Sequence, residues 1–261
     1  MEKNIGQVIN LDQFPLDDDE FRASCREALD KDGLLVLPGF LTEEALDSVR
    51  AEGREKQHLA YYCEQRHNVY LTPPEPGFAT DHPRNREVSS SKGCITDDQI
   101  SADSGLRELY DSPKFRDFLC AVLGESALYE YADPLSSINL HYAAEGQELG
   151  WHFDNSSFAI TLMIQEPSAG GEFQFVRSIR NSDQGDMNFD GVADVLDDNC
   201  SPDTLRMAAG TLVLFRGRDA IHRVTPVKGD TTRMLVVLAY NAEPGIALSE
   251  SARMTFYGRL D

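Results

Sequence analysis

The sequence predicts an α+β chain, helical in its first half and a β-roll in its second, and three observations carry that prediction. Apolar residues before position 128 recur at helical spacing between cap and stop residues. After Tyr129 the texture changes to short β-type segments separated by turn residues. A chain of 261 residues with 41% hydrophobic content can also bury one substantial core. The expected organisation is one domain, 1–261, with a mainly helical and loop part over 1–128, a β core over 129–243 and a C-terminal segment over 244–261.

Taken in order, Phe21, Cys25, Ala28 and Leu29 mark a helix over residues 17–29, with Gly33 as its stop. GLLVLPGF reads as a strand closed by Pro38 and Gly39. Thr42 is an N-cap with Glu43 and Glu44 in the first turn, opening a helix through about Glu55. Residues 61–104 read as irregular, because PPEPGFATDHPRNREVSSSKG is dense in Pro, Gly and Ser. Long loops of this kind are often functional. A further helix is expected over residues 112–123, ending at Gly124. The strand segments that follow are SSINLHY, GWHFDNSSFAITLMIQ, GEFQFV, GTLVLFRG, IHRVTPV and TRMLVVLAYN. Several short strands at such spacing form a sandwich, barrel or jelly roll.

Composition excludes several classes. The formal charge is -20, from 24 Lys and Arg against 44 Asp and Glu, and no basic stripe with interleaved aromatics appears, so nucleic acid is not an expected partner. No apolar run approaches the length of a membrane span, and MEKNIGQVINLDQF lacks the basic start and apolar core of a signal peptide. A membrane partner is therefore not expected either. The five cysteines are scattered without a CxxC pair and read as free thiols in a reducing cytoplasm.

The chemistry concentrates in WHFDNSSF. On a strand, residues i and i+2 share a face about 7 Å apart, so His152 and Asp154 reach toward one point while Phe153 faces away. An imidazole and a carboxylate are two thirds of a facial triad for Fe(II). His222 is the best placed of the remaining histidines, because IHRVTPV follows the apolar GTLVLF and the turn RGRDA. Arg233 lies eleven residues further, at the start of an apolar strand, and its planar guanidinium suits a carboxylate. Taken singly, these residues have plainer readings: a hydrogen-bonded core histidine, a turn-capping acid, half of an ion pair with Asp230 or Glu243. Their common register favours the metal site.

This pattern resembles the Fe(II)- and 2-oxoglutarate-dependent dioxygenases, which implies a double-stranded β-helix (jelly-roll) core flanked by the N-terminal helices. By that resemblance His152, Asp154 and His222 bind iron, Arg233 binds the distal carboxylate of 2-oxoglutarate, O2 is the oxidant and ascorbate supports turnover in vitro. The stretches DHPRNR, SSKGCITDDQI, YADPLSSINLHYA, GQELGWHFDNSSFAITL, LFRGRDAIHRVTP and SESARMTFYGRL resemble the radical halogenases and hydroxylases of free amino acids, lysine-type substrates among them. In the chlorinating members of that group a Gly replaces the metal carboxylate. This chain keeps Asp154, so the resemblance implies a hydroxylase of an unactivated C–H bond in a small free amino acid, lysine or another basic one, releasing succinate and CO2. Asn139 and His141 share a face and either line the cosubstrate pocket or are ordinary strand packing. Trp151 reads as a packing wall. For substrate, Arg84 and Arg86 are carboxylate binders or else solvated charges, and Asn155, Ser156, Ser157 and Asn241 are further contacts.

Three rival readings stand beside this one. A halogenase or desaturase on the same scaffold is disfavoured by Asp154 in the first case and untouched in the second. A non-catalytic cupin-like metal-binding β-roll would not need Arg233. Finally, Asp186, Asn188, Asp190 and Gly191 match the opening of a calcium loop, but the twelfth position is Asp197 and no entering helix precedes it. The plain reading of that segment is an acidic, solvated connector.

Overall fold

A computed structural model describes residues 5–261; the first residues of the stretch read for a leader lie outside that range. The helices begin and end where their caps dictate. Helix α1 (Asp19–Asp32) starts at Asp18, whose side chain accepts from Phe21 N, and stops at Gly33 in the left-handed region at φ 64°. Helix α2 (Glu43–Lys56) is capped by Thr42, which accepts from Ala45 N. Helix α3 (Gly105–Asp111), absent from the sequence expectation, runs directly into α4 (Pro113–Leu123), where Ser112 caps and Pro113 fills the first turn.

Thirteen strands follow the same logic. In chain order they are β1 (Leu34–Leu37), β2 (Tyr61–Asn68), β3 (Glu87–Ile95), β4 (Ile138–Ala143), β5 (Leu149–His152), β6 (Ala159–Gln165), β7 (Ala169–Gly170), β8 (Phe173–Val176), β9 (Asp203–Leu205), β10 (Leu212–Phe215), β11 (Ile221–Val224), β12 (Val227–Lys228) and β13 (Arg233–Leu238). Eleven form one antiparallel sheet in the order β1-β10-β6-β13-β4-β3-β5-β11-β8-β9, with β2 on β3, while β7 and β12 pair separately. The sheet rolls up: Phe173 on β8 and Phe215 on β10, near opposite ends of that order, meet at 5.0 Å between ring centroids. This is the jelly-roll architecture the resemblance implies.

Each strand divides its side chains between two environments. Leu140, Tyr142, Met234, Val236, Ile160, Leu162, Leu212 and Leu214 face the helices and form the principal core with Phe115, Phe118 and Leu29. Tyr142 Oη donates to Gly53 O on α2 at 2.7 Å, and a side chain at Gly53 would meet Leu140 Cδ2 at 3.0 Å, so α2 lies tight against the sheet. The alternate residues, among them His141, Arg233, Leu235, Val213 and Phe215, line the interior of the roll.

Three expectations are corrected. Residues 61–104 are not irregular throughout, since they contain β2 and β3; β2 is an edge strand whose side chains are largely exposed, so it lacks the apolar alternation that marks half-buried strands. GWHFDNSSFAITLMIQ is two strands, β5 and β6, with residues 153–158 outside both. The supposed acidic connector holds helix α5 (Phe189–Leu196), capped by Asn188 and burying Val192, Val195 and Leu196 against Tyr70, Trp151 and Phe153. The C-terminal segment carries helix α6 (Glu250–Tyr257), capped by Ser249.

All five cysteines are free, and no helix among the described residues is long and apolar enough to cross a membrane.

Glycine at position 150 permits β5 to lie against β3, because a Cβ there would sit 2.5 Å from Ser89 O and 2.8 Å from Val88 Cγ2. Gly150→Ala is expected to destabilise the fold by about 1–3 kcal/mol through overpacking, read as a lowered urea midpoint. An unchanged midpoint would show that these strands tolerate a wider separation.

Candidate metal centre and its cavity

The register of two strands brings the histidines together. β5 and β11 pair antiparallel with His152 directly opposite His222, and the two rings lie 4.2 Å apart between centroids. Each ring is oriented by its own strand: His152 Nδ1 donates to Gly150 O at 2.8 Å, and His222 Nδ1 donates to Ala220 O at 2.9 Å. Both Nε2 lone pairs are thereby left free and turned inward. Phe173 and Phe215 pack on His222 at 5.6 Å and 5.0 Å, fixing its plane from the apolar side.

Asp154 arrives from beyond the strand. β5 ends at His152, and Phe153 turns outward into the cluster with Tyr70 and α5. Asp154 N then donates to Gly217 O at 3.1 Å, which pins the residue to the turn between β10 and β11. Its Oδ1 lies 3.5 Å from His222 Nε2 and 3.9 Å from His152 Nε2. His152 and Asp154 thus converge as a spacing of two implies, but Asp154 lies beyond the strand and is held by a backbone hydrogen bond rather than by a shared strand face. Gly217 is a residue that sequence reasoning missed: a Cβ there would fall 1.9 Å from Asp154 Oδ2. No sequence pattern marks a glycine whose role is to leave space.

The electrostatics suit a cation. Burial first, and the adjacent His222 second, bring the pKa of His152 down to about 3, so the ring is neutral and its Nε2 is available. Burial alone would raise Asp154, but His222 and His152 hold its carboxyl below the ordinary range. Asp154 Oδ2 is buried without a hydrogen-bond partner. Two imidazoles with Nε2 turned inward and one carboxylate with an unpartnered oxygen form the donor set of a facial triad, and the residues fit a divalent iron. Among the described residues this is the one group of three ligating side chains whose donor atoms converge, within 4.8 Å.

The centre opens on a cavity of about 320 Å³ inside the roll, lined by Lys92, Tyr131, His141, Phe158 and Arg233 among others. Arg233 is 4% exposed, and its Nε and Nη2 have no partner, so the ion pairs with Asp230 or Glu243 do not form. Burial lowers its pKa to about 10, which leaves it charged at neutral pH. His141 lines the cavity, whereas Asn139 is anchored by donating to Leu135 O and Ile138 O and accepting from Tyr257 Oη. Asn139 therefore ties α6 to the roll.

The residues expected to meet a substrate are scattered. Arg84 donates to Glu75 and lies over the Tyr70 ring, and Arg86 pairs with Asp197 and donates to Leu196 O. Neither lines the cavity. Ser156 lines its edge, with Asn155 and Ser157 exposed beside it. Asn241 bridges to Tyr129 through its backbone, away from the cavity lining. Trp151 is a packing wall as expected, buried in the cluster with α5. In the calcium-like segment, Asn188 Oδ1 accepts from Gly191 N, its Nδ2 donates to Ile179 O, and Asp197 is paired with Arg86.

The family model of halogenase D (HalD) matches residues 16–255. No curated protein matches the chain by sequence. Among solved structures, the SnoN epimerase in complex with Fe3+, α-ketoglutarate and nogalamycin RO is similar at a TM-score of 0.58 and 15% identity, covering 85% of this chain and 84% of that one. An oxidoreductase of the 2OG-Fe(II) oxygenase family from Burkholderia pseudomallei gives 0.55 at 14% identity, covering 88% and 94%. A Pseudomonas putida prolyl-4-hydroxylase gives 0.51 at 14% identity, covering 83% and 96%. At these identities the likeness establishes the fold.

Gly217→Ala should displace the Asp154 carboxylate and remove most bound Fe(II), with the circular dichroism spectrum retained. Metal analysis after anaerobic loading checks this, and full iron stoichiometry in the variant would exclude Asp154 as a ligand held by that turn.

Proposed function

The chain belongs to the halogenase D family, and we propose that within it the protein is an Fe(II)- and 2-oxoglutarate-dependent hydroxylase of an unactivated C–H bond in a small free amino acid. One observation carries the reading: a partly buried His-Asp-His triad shares a cavity with a buried arginine that has no protein anion among the described residues. A metal-binding module without turnover has no use for that arginine, so its presence argues for an enzyme that binds a carboxylate.

When bound, iron with 2-oxoglutarate and O2 supplies the oxidation of a C–H bond and releases succinate and CO2. This chain's residues do the rest. His152, Asp154 and His222 would hold the metal, with ring orientations fixed by Gly150 O and Ala220 O. Arg233 takes the distal carboxylate of the cosubstrate by charge-assisted hydrogen bonds. Leu149, Phe158, Phe173 and Phe215 give the cavity apolar walls that keep water from the reacting centre.

Hydroxylation rather than chlorination follows from Asp154, which occupies the place that is Gly in the chlorinating enzymes this chain resembles. The lysine-type preference rests on the same resemblance. Asp154 is the one acidic residue lining the cavity among the described residues, and Ser156, with Asn155 and Ser157 exposed beside it, offers neutral polar groups to the ammonium of an amino acid.

Purified protein supplied with Fe(II), ascorbate, O2 and 2-oxoglutarate should release succinate only with particular amino acids, and mass spectrometry should find one added oxygen in the product. A chlorinated or dehydrogenated product would replace this reading, and no succinate above background with any amino acid would reject the substrate class. Asp154→Gly is expected to lose hydroxylation. Undiminished oxygen insertion in that variant would remove the carboxylate from the reaction.

A further inference from the structure

A second, half-buried base accompanies Arg233. Lys92 lies on β3, separated from β13 only by β4, and both side chains reach the same cavity. On the intervening strand, His141 stands between them: Lys92 Nζ is 3.1 Å from His141 Nε2 and 3.3 Å from Nδ1 and donates to the ring. From the other side, Phe256 of α6 covers the ammonium at 5.6 Å from its ring centroid. No carboxylate lies within ion-pair distance of Lys92 or of Arg233 among the described residues.

That arrangement is costly as it stands. An unpaired ion withdrawn from water carries a desolvation penalty, and a neighbouring like charge adds to it. Burial pushes the pKa of Lys92 down, and burial together with Lys92 and Arg233 holds His141 neutral. A neutral imidazole can orient an ammonium but cannot balance its charge. An anion in the cavity balances both bases at once. Arginine offers a planar fork and lysine a compact point charge, so the two grip one carboxylate differently and from different strands.

We propose that Lys92, oriented by His141, is a second anchor for the cosubstrate carboxylate held by Arg233, and that it sets the preference for a dicarboxylate over a monocarboxylate 2-oxo acid. This rests on the 2-oxoglutarate reading above. In that role His141 is a positioning residue, acting through Lys92.

The test compares two ligands on anaerobic Fe(II)-loaded protein by calorimetric titration: 2-oxoglutarate, and 2-oxopentanoate, which has the same chelating head but no distal carboxylate. Lys92→Met is expected to weaken 2-oxoglutarate binding about tenfold or more, roughly 1.4 kcal/mol, and to leave 2-oxopentanoate unchanged, while Lys92→Arg restores the preference. Equal weakening of both ligands would assign Lys92 a structural role and overturn the proposal. So would unchanged 2-oxoglutarate affinity in Lys92→Met when Arg233→Met abolishes the preference, an outcome that leaves the cosubstrate reading intact. If the unmodified protein shows no preference between the two ligands, the cosubstrate reading falls and this proposal with it. Should Lys92→Met not fold, Lys92→Gln is read in the same way.

Discussion

The register of β5 against β11 is the constraint on which the interior depends. His152 and His222 are opposed because those strands pair as they do, and side chains alternate faces with a period of two. A slip of one residue would send one imidazole outward into the cluster of Trp151, Phe153 and α5, where no ligand set exists. Close packing of β5 on β3 at Gly150 and the aromatic pair Phe173 and Phe215 hold that register from two sides. Asp154 is then added through the Gly217 turn, so three segments distant in sequence define one small volume.

The roll separates two kinds of stability. Its outer face is conventional, with apolar residues against α1, α2 and α4 and tyrosine hydroxyls donating to buried carbonyls, as at Tyr142 and Tyr110. Its inner face carries charges and unpartnered polar atoms that the chain alone does not satisfy. The helices supply the packing energy that lets the interior remain strained in this electrostatic sense. Asn139 and Tyr257 extend the arrangement to the C-terminus, fastening α6 over the end of the cavity where Lys92 lies.

Much of this was legible in the residues. Helices α1, α2 and α4 announced themselves by caps and stops. The triad with Arg233 was visible because ionisable groups set at fixed offsets in apolar strands are costly to bury unless a ligand or a partner compensates them. The failures share a physical cause. β2 is an edge strand and β3 is a run of Ser and Lys with Lys92 turned toward the cavity, so neither shows the alternation of a strand packed on a core. Lys92 was hidden inside that misreading. Helix α5 was hidden by acidic residues whose spacing imitates a calcium loop, although Val192, Val195 and Leu196 form a helical stripe. The position of Asp154 is only partly legible, since it depends on a hydrogen bond to Gly217, a residue far along the chain.

The sheet also dictates when this protein can acquire its shape during synthesis. β1 near the N-terminus pairs with β10, Leu34 opposite Phe215, and β10 continues to β6. A nascent chain emerging from the ribosome therefore carries an unpaired apolar strand until β10 has also emerged. Topologies rich in such distant pairings fold slowly and pass through states with exposed edges. The early helices, which can form locally, are well placed to shield β1 during that wait: α1 contacts β1 in the finished fold and leads into it through Gly33.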